Sequence, residues 1–312
     1  MANPPLEGII SYPVTPFDPA TGEVDLAALR RLTDELVDAG SHAVAPLGST
    51  GESAYLQEAE WDAVCETTLQ TVADRVPTLV GVSHWSTEGT IRRARVAARH
   101  GATAIMVLPQ VYWKLTETEL ARHYTAVATA TDLPIMLYNN PGTSGVDLVP
   151  ETVVALARRI PNITMVKESS GDVTRFRAIR ELSDGALSVY NGNNPIALEA
   201  FRSGAVGWCT AAPCLVPRRV LELHAAATRG DEERADALLA ELLPFLEFIV
   251  GHGLPRAIKA GLRIQGRGVG RPRPPLLPLS DEGTERLREI LGGLASHPSA
   301  DNPAASAVRP AV

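Results

Sequence analysis

The chain has 312 residues, 45% of them apolar and 21% charged, which suits one large soluble domain or two ordinary ones with no need of a disulfide or metal staple. A net charge of -7 and a pI near 5.6 argue against a nucleic-acid or anionic-membrane surface. Only three of the 29 basic side chains are lysines (Lys114, Lys167 and Lys259), so a search for an amine nucleophile starts with three candidates.

The first residues, Met1 to Gly8, have neither a basic n-region nor a long apolar stretch, so no signal peptide is expected. Eight short apolar runs follow. They begin with Ile9–Val14, Ala43–Leu47, Thr78–Val82 and Ala104–Leu108. They continue with Ile135–Tyr138, Ile163–Lys167, Leu187–Tyr190 and Val206–Cys209. Near-continuous apolar runs of this length read as strands covered on both faces.

Helical patterns with readable ends lie between them. Asp25 caps a helix from about Leu26 to Ala39, stopped by Gly40. Thr87 and Gly101 bracket another. Thr116 and Glu119 form a capping box for a helix to about Ala130, and Pro150 suits a first helical turn. The segment Leu238–Val250 is interrupted by Glu241, Pro244 and Glu247, which excludes a membrane span. Three further helices are expected after the eighth unit, over Asp231–Val250, Pro255–Gln265 and Asp281–Leu294.

Eight strand–helix units are the count of an α/β fold of the (β/α)8 TIM-barrel type, here with a C-terminal helical extension. A doubly wound open sheet is the rival, weakened because no GxGxxG follows the first strand. The expected divisions are a barrel over 1–225, the extension over 226–295 and a disordered Ala/Pro/Ser-rich tail over 296–312.

Cys65, Cys209 and Cys214 have no paired spacing and read as buried hydrophobes in a reducing, cytoplasmic compartment. The seven histidines share no ligand spacing, so no metal site is expected. The Arg92, Arg93, Arg95 and Arg99 cluster reads as a solvated helix face, and Gly266–Pro275 as a loop.

Active sites of such barrels sit at the C-terminal ends of strands. Lys167 ends an apolar strand, where an ammonium is costly unless paired or neutral. It is either a structural ion pair with Glu168 or Glu52, or a neutral amine able to attack a carbonyl. Lys114 and Lys259 read as surface residues, with Lys114 close enough to the mouth to line it. Tyr138 either relays protons or packs with its hydroxyl on the backbone. Ser49, Thr50 and Gly51 form a hydroxyl-bearing turn that either holds a carboxylate or is an ordinary turn, with Glu52 as a first-turn helix acid.

Gly48-Ser49-Thr50-Gly51-Glu52, Tyr138-Asn139-Asn140-Pro141, Val166-Lys167-Glu168-Ser169-Ser170-Gly171 and Asn191-Gly192-Asn193 follow one another at these strand ends. Together they resemble the dihydrodipicolinate synthase / N-acetylneuraminate lyase family, over about Pro4 to Leu294. The resemblance implies a class I lyase or aldolase that forms a lysine Schiff base with pyruvate or another 2-oxo acid and needs no metal or organic cofactor. It implies Lys167 as the Schiff-base lysine, Tyr138 as the proton relay and Ser49 as the hydroxyl linking two tyrosines. Thr50 and the neighbouring amides would bind the 2-oxo acid carboxylate, with Gly192 beside the site and Cys209 acting through its backbone carbonyl. The family's second tyrosine, which reaches into a neighbouring subunit, matches Tyr112 with one inserted residue, implying a homodimer at least and commonly a tetramer.

Two departures bear on substrate. Thr143 stands where the synthases carry a carboxylate-gripping arginine, and no acid follows Asn191, where sialic acid lyases carry them. With Trp113 and Trp208, these point to a less charged site and to neither of those two activities. The synthase itself, with Arg256 or Arg263 replacing the missing arginine, a 2-oxo acid dehydratase or deaminase, and a non-catalytic 2-oxo acid-binding barrel remain alternatives. A metal-dependent class II barrel is disfavoured by the scattered histidines and acids.

Overall fold

The computed structural model describes residues 6–109 and 112–296. The strands are β1 (Gly8–Ser11), β2 (Ala43–Val44), β3 (Leu79–Gly81), β4 (Ala104–Val107), β5 (Ile135–Asn139), β6 (Ile163–Glu168), β7 (Ser188–Asn191) and β8 (Gly207–Thr210). All pair in parallel in the order β2-β1-β8-β7-β6-β5-β4-β3. A parallel bridge between Val44 and Thr78 joins the two ends of that order and closes the barrel.

Alternation along the strands decides which side chains meet. Met106, Met136, Tyr138 and Met165 belong to one buried cluster, with Tyr12, Tyr190 and Trp208. Their strand neighbours Ile105, Val107, Ile135, Leu137 and Val166 belong to a second cluster, packed on the surrounding helices. Side chains two apart share a face, so Lys167 follows Met165 into the barrel while Glu168 follows Val166 out of it.

The helix ends form as their sequences suggest. Asp25 accepts from the Ala28 amide at the start of Leu26–Asp38, and Thr116 and Glu119 cap Glu117–Thr129 reciprocally. Pro150 is the first residue of Pro150–Arg159. The helix expected after Thr87 is capped one residue earlier, by Ser86. After the barrel come helices Glu232–His252, Leu254–Ile264 and Asp281–Ser296, whose apolar faces join the barrel-interior cluster through Leu242, Phe245, Ile258 and Leu262. The expected tail lies, beyond Ser296, outside the described residues.

Three expectations need correction. Lys259 is not on the surface: it is 2% exposed, its Nζ 2.6 Å from Glu52 Oε1 and 4.0 Å from the centre of the Phe17 ring. Arg93 is not on a solvated face: it is 4% exposed, stacks on Trp61 and bonds Glu58 and the Ser83 carbonyl, whereas Arg95 and Arg99 do face solvent. Glu52 is not a first-turn helix acid; it directly precedes the short 3-10 helix Ser53–Tyr55 with a positive φ of 56° and is buried. The loop after Leu254–Ile264 serves as a strap. Arg273 bonds Glu60 and the Gly22 carbonyl, while its backbone amide donates to Glu52 Oε2 at 2.7 Å.

Candidate active site

Strands β5, β6 and β7 run in a register that aligns Tyr138 with Lys167 and Lys167 with Tyr190. Lys167 therefore rises from the barrel interior between two tyrosine-bearing strands. It is 6% exposed and lines a cavity of about 430 Å³ at the C-terminal mouth. Neither suggested carboxylate pairs with it. Glu52 is held by Lys259 and the Arg273 amide. Glu168, on the outer face, accepts from Asn139 Nδ2 at 2.9 Å and from the Ser170 amide at 2.6 Å. Burial pushes the Glu168 carboxyl upward, against those hydrogen bonds and the nearby Arg175.

Tyr138 sits with its ring centre 4.2 Å from Lys167 Nζ, and its Oη accepts from Asn140 Nδ2 at 2.8 Å. Burial raises the phenol's affinity for its proton. The Lys167 amine and hydrogen bonds with Asn140 and Ser49 outweigh that effect and hold the phenol below its ordinary range. A phenol so placed can pass a proton at or near the amine. Asn140 was not singled out in the sequence; its position two residues after Tyr138, as the cap of the short helix Pro141–Ser144, is the signal that could have found it.

The turn Gly48–Glu52 forms the opposite wall. The Gly51 amide bonds the Gly48 carbonyl and the Glu52 amide bonds the Ser49 carbonyl, so both are spent inside the turn. Thr15 Oγ1 donates to the Gly51 carbonyl at 2.6 Å and pins it from behind. The cavity is lined by Ser49 and Thr50 from this side and by Thr143, Gly192 and Cys209 from the others. Cys209 presents its side chain to Tyr12, and burial raises its thiol pKa.

Gly192 has a structural reason to be glycine. A Cβ there would stand 2.6 Å from Lys167 Cε and would also strike Ser169 Oγ. Gly192→Ala is expected to displace the lysine stem, slowing the reaction about 100-fold, the scale of an ångström misplacement, while costing only about 1–3 kcal/mol in stability. Steady-state kinetics alongside a thermal melt separate the two effects.

Tyr112 is not part of this chain's cavity. It is 89% exposed beside Trp113, 79% exposed, in an edge-on pair at 6.1 Å. Lys114 is exposed and also outside the cavity lining, and no group of histidines, cysteines and acids among the described residues could hold a metal.

Fold and site together define a (β/α)8 barrel with a buried lysine amine at its C-terminal mouth, flanked by phenols and hydroxyls. The chain belongs to the dihydrodipicolinate synthetase family, whose model matches residues 5–293, and so to a group of class I lyases. It is 36% identical over 287 residues to the 4-hydroxy-tetrahydrodipicolinate synthase of Methanospirillum hungatei, covering 91% of this chain and 98% of that one. Among solved structures it is similar to a provisionally named dihydrodipicolinate synthetase from Pseudomonas aeruginosa. That pair shares 52% identity and a TM-score of 0.91, covering 93% of this chain and all of that one. Another solved relative, 30% identical with a TM-score of 0.87, is described as a monomeric dihydrodipicolinate synthase variant; the match covers 93% of this chain and 97% of that one.

Proposed function

We propose that this protein condenses Lys167 with the keto carbon of pyruvate or another 2-oxo acid and uses the resulting imine for C–C or C–O bond making or breaking. The observation that carries this reading is the buried Lys167 amine, free of any carboxylate partner among the described residues, 4.2 Å from the ring of a tyrosine whose phenol is primed to move protons. The substrate carboxylate sits on Ser49 and Thr50, since the Gly51 amide is committed to the turn. The neutral amine attacks C2, the carbonyl oxygen takes one proton from Tyr138 and a second from the attacking nitrogen, and water leaves the protonated imine. The protonated imine then serves as the electron sink, and Ser49 passes protons toward solvent.

Borohydride added with pyruvate, followed by peptide mapping, tests this reading. A reduced adduct on the Lys167 peptide is expected. Absence of an adduct across a panel of 2-oxo acids overturns it. Tyr138→Phe is expected to lower kcat about 100- to 1,000-fold, the scale of lost general acid–base help, with the fold retained.

The synthase reaction is the second reading, supported by the names of the relatives. Against it, Thr143 lines the cavity where those enzymes would place an arginine, and Arg256 and Arg263 are not among the lining residues. A coupled assay with aspartate semialdehyde decides between them: turnover establishes the synthase. The exposed Tyr112–Trp113 pair supports a homo-oligomer in which this loop meets a second copy, and a cytoplasmic location is part of the same proposal. No helix among the described residues is long and apolar enough to cross a membrane.

A further inference from the structure

Tyr12 is a second ring on the Lys167 amine. It lies one residue beyond β1 and its side chain is almost fully buried. The centre of its ring is 4.2 Å from Lys167 Nζ, the same distance as the ring of Tyr138. The amine therefore lies over two aromatic faces, and no carboxylate among the described residues pairs with it.

The Tyr12 ring is fixed rather than merely present. Its Oη donates to Met106 Sδ at 3.2 Å, across the barrel on β4. The ring fills the space that a Gly48 side chain would need, since a Cβ at Gly48 would stand 2.8 Å from Tyr12 Cδ1. The two tyrosines also differ in proton affinity. Burial and the neighbouring Cys209, Tyr138 and Tyr190 raise the Tyr12 phenol well above its ordinary range, whereas Tyr138 is lowered. Tyr12 is thus unsuited to carrying a proton, and what it offers the amine is its electron-rich face.

We infer that Tyr12 is a positioning residue for the imine chemistry: its ring, together with that of Tyr138, holds the nitrogen of Lys167 and favours the cationic iminium over the neutral imine. The inference rests on Lys167 being the imine-forming residue. A cation over an aromatic face is stabilised by the ring quadrupole, most strongly where water is excluded. When the neutral Nζ condenses with the keto carbon, the positive charge of the iminium forms on that nitrogen, over the same two rings. The iminium is the form that withdraws electrons, so the two rings act on the intermediate that the reaction needs. Two aromatic faces thereby do electrostatic work at a site where a carboxylate partner would instead hold the resting lysine as an ion pair.

The test places phenylalanine at position 12, then mono-, di- and trifluorinated phenylalanines of nearly the same shape but weakened ring face. Borohydride trapping with a 2-oxo acid is followed against pH in each. Tyr12→Phe is expected to trap within about twofold of wild type, because the ring remains. The trifluorinated ring is expected to lower the adduct yield about tenfold and to move the pH midpoint for the iminium down by about one unit. A profile unchanged along the fluorinated series overturns the inference. A Tyr12→Phe loss as large as that of the trifluorinated ring also overturns it and assigns the effect to the hydroxyl. Absence of any adduct in the wild type is the separate failure of the Schiff-base reading.

Discussion

Lys167→Met is expected to abolish adduct formation and to lower turnover about 10⁴-fold or more, the scale of removing a covalent nucleophile, while leaving a protein at least as stable as the wild type. The two halves of this expectation have one cause. Lys167 is 6% exposed, and neither Glu52 nor Glu168 neutralises it. A desolvated amine without a carboxylate is a cost that folding bears for the sake of chemistry. Methionine keeps all but the last atom of the length and brings an uncharged thioether and terminal methyl toward the Tyr12 and Tyr138 rings. The melting temperature should match or exceed that of the wild type, with stability within about 1 kcal/mol or better. Lys167→Ala, which also leaves a void, should be equally inactive but less stable. A Met variant that unfolds several degrees early would show that the amine has a structural role.

The alternation that isolates Lys167 was readable in the sequence. The run Ile163-Thr164-Met165-Val166-Lys167 fixes which residues share a face, and the eight apolar runs, counted in order, lead to a barrel. The same rule, applied one residue further, excludes Glu168 as the partner of Lys167, because adjacent strand residues face opposite ways. Strand limits were less legible. β2 shrinks to Ala43–Val44, since Pro46 lacks an amide for the ladder and Leu47 adopts a positive φ of 63°. Tyr12 is not legible as a mouth residue because the first run reads as one strand to Val14, which places its end three residues too late. β1 stops at Ser11, so Tyr12 stands at the mouth. The burial of Arg93 depends on Trp61 and Glu58 of the preceding helix, contacts that no local pattern encodes.

Lys259 is the clearest case of a residue whose environment is invisible locally, and it carries the second large expectation. Lys259→Met should destabilise the protein by about 1–3 kcal/mol, because the buried Glu52 carboxylate loses the donor that stands 2.6 Å from its Oε1. Glu52 accepts from the Arg273 amide and from Lys259, so it joins the strap of the C-terminal extension to the turn that presents Ser49 and Thr50. Adding Glu52→Gln should recover most of the loss, since glutamine can still accept from the Arg273 amide and no unpaired charge remains. Burial lowers the Lys259 pKa from an ordinary 10.5 to about 8 even though Glu52 favours its charged form. Between about pH 8 and 10.5 the folded protein therefore releases a proton that the unfolded chain still holds. By linkage, the contribution of this group to stability rises with pH through that window and is at its lowest below it. Chemical denaturation of wild type and of Lys259→Met at pH 7.5 and pH 10 checks this: the wild type should gain on the variant as pH rises. An unchanged difference between them would show that Lys259 keeps its proton throughout. In the single variant the KM for the 2-oxo acid should also rise, because the turn proposed to hold the substrate carboxylate loses its tie to the extension. The double variant should bring KM back toward the wild-type value along with the stability.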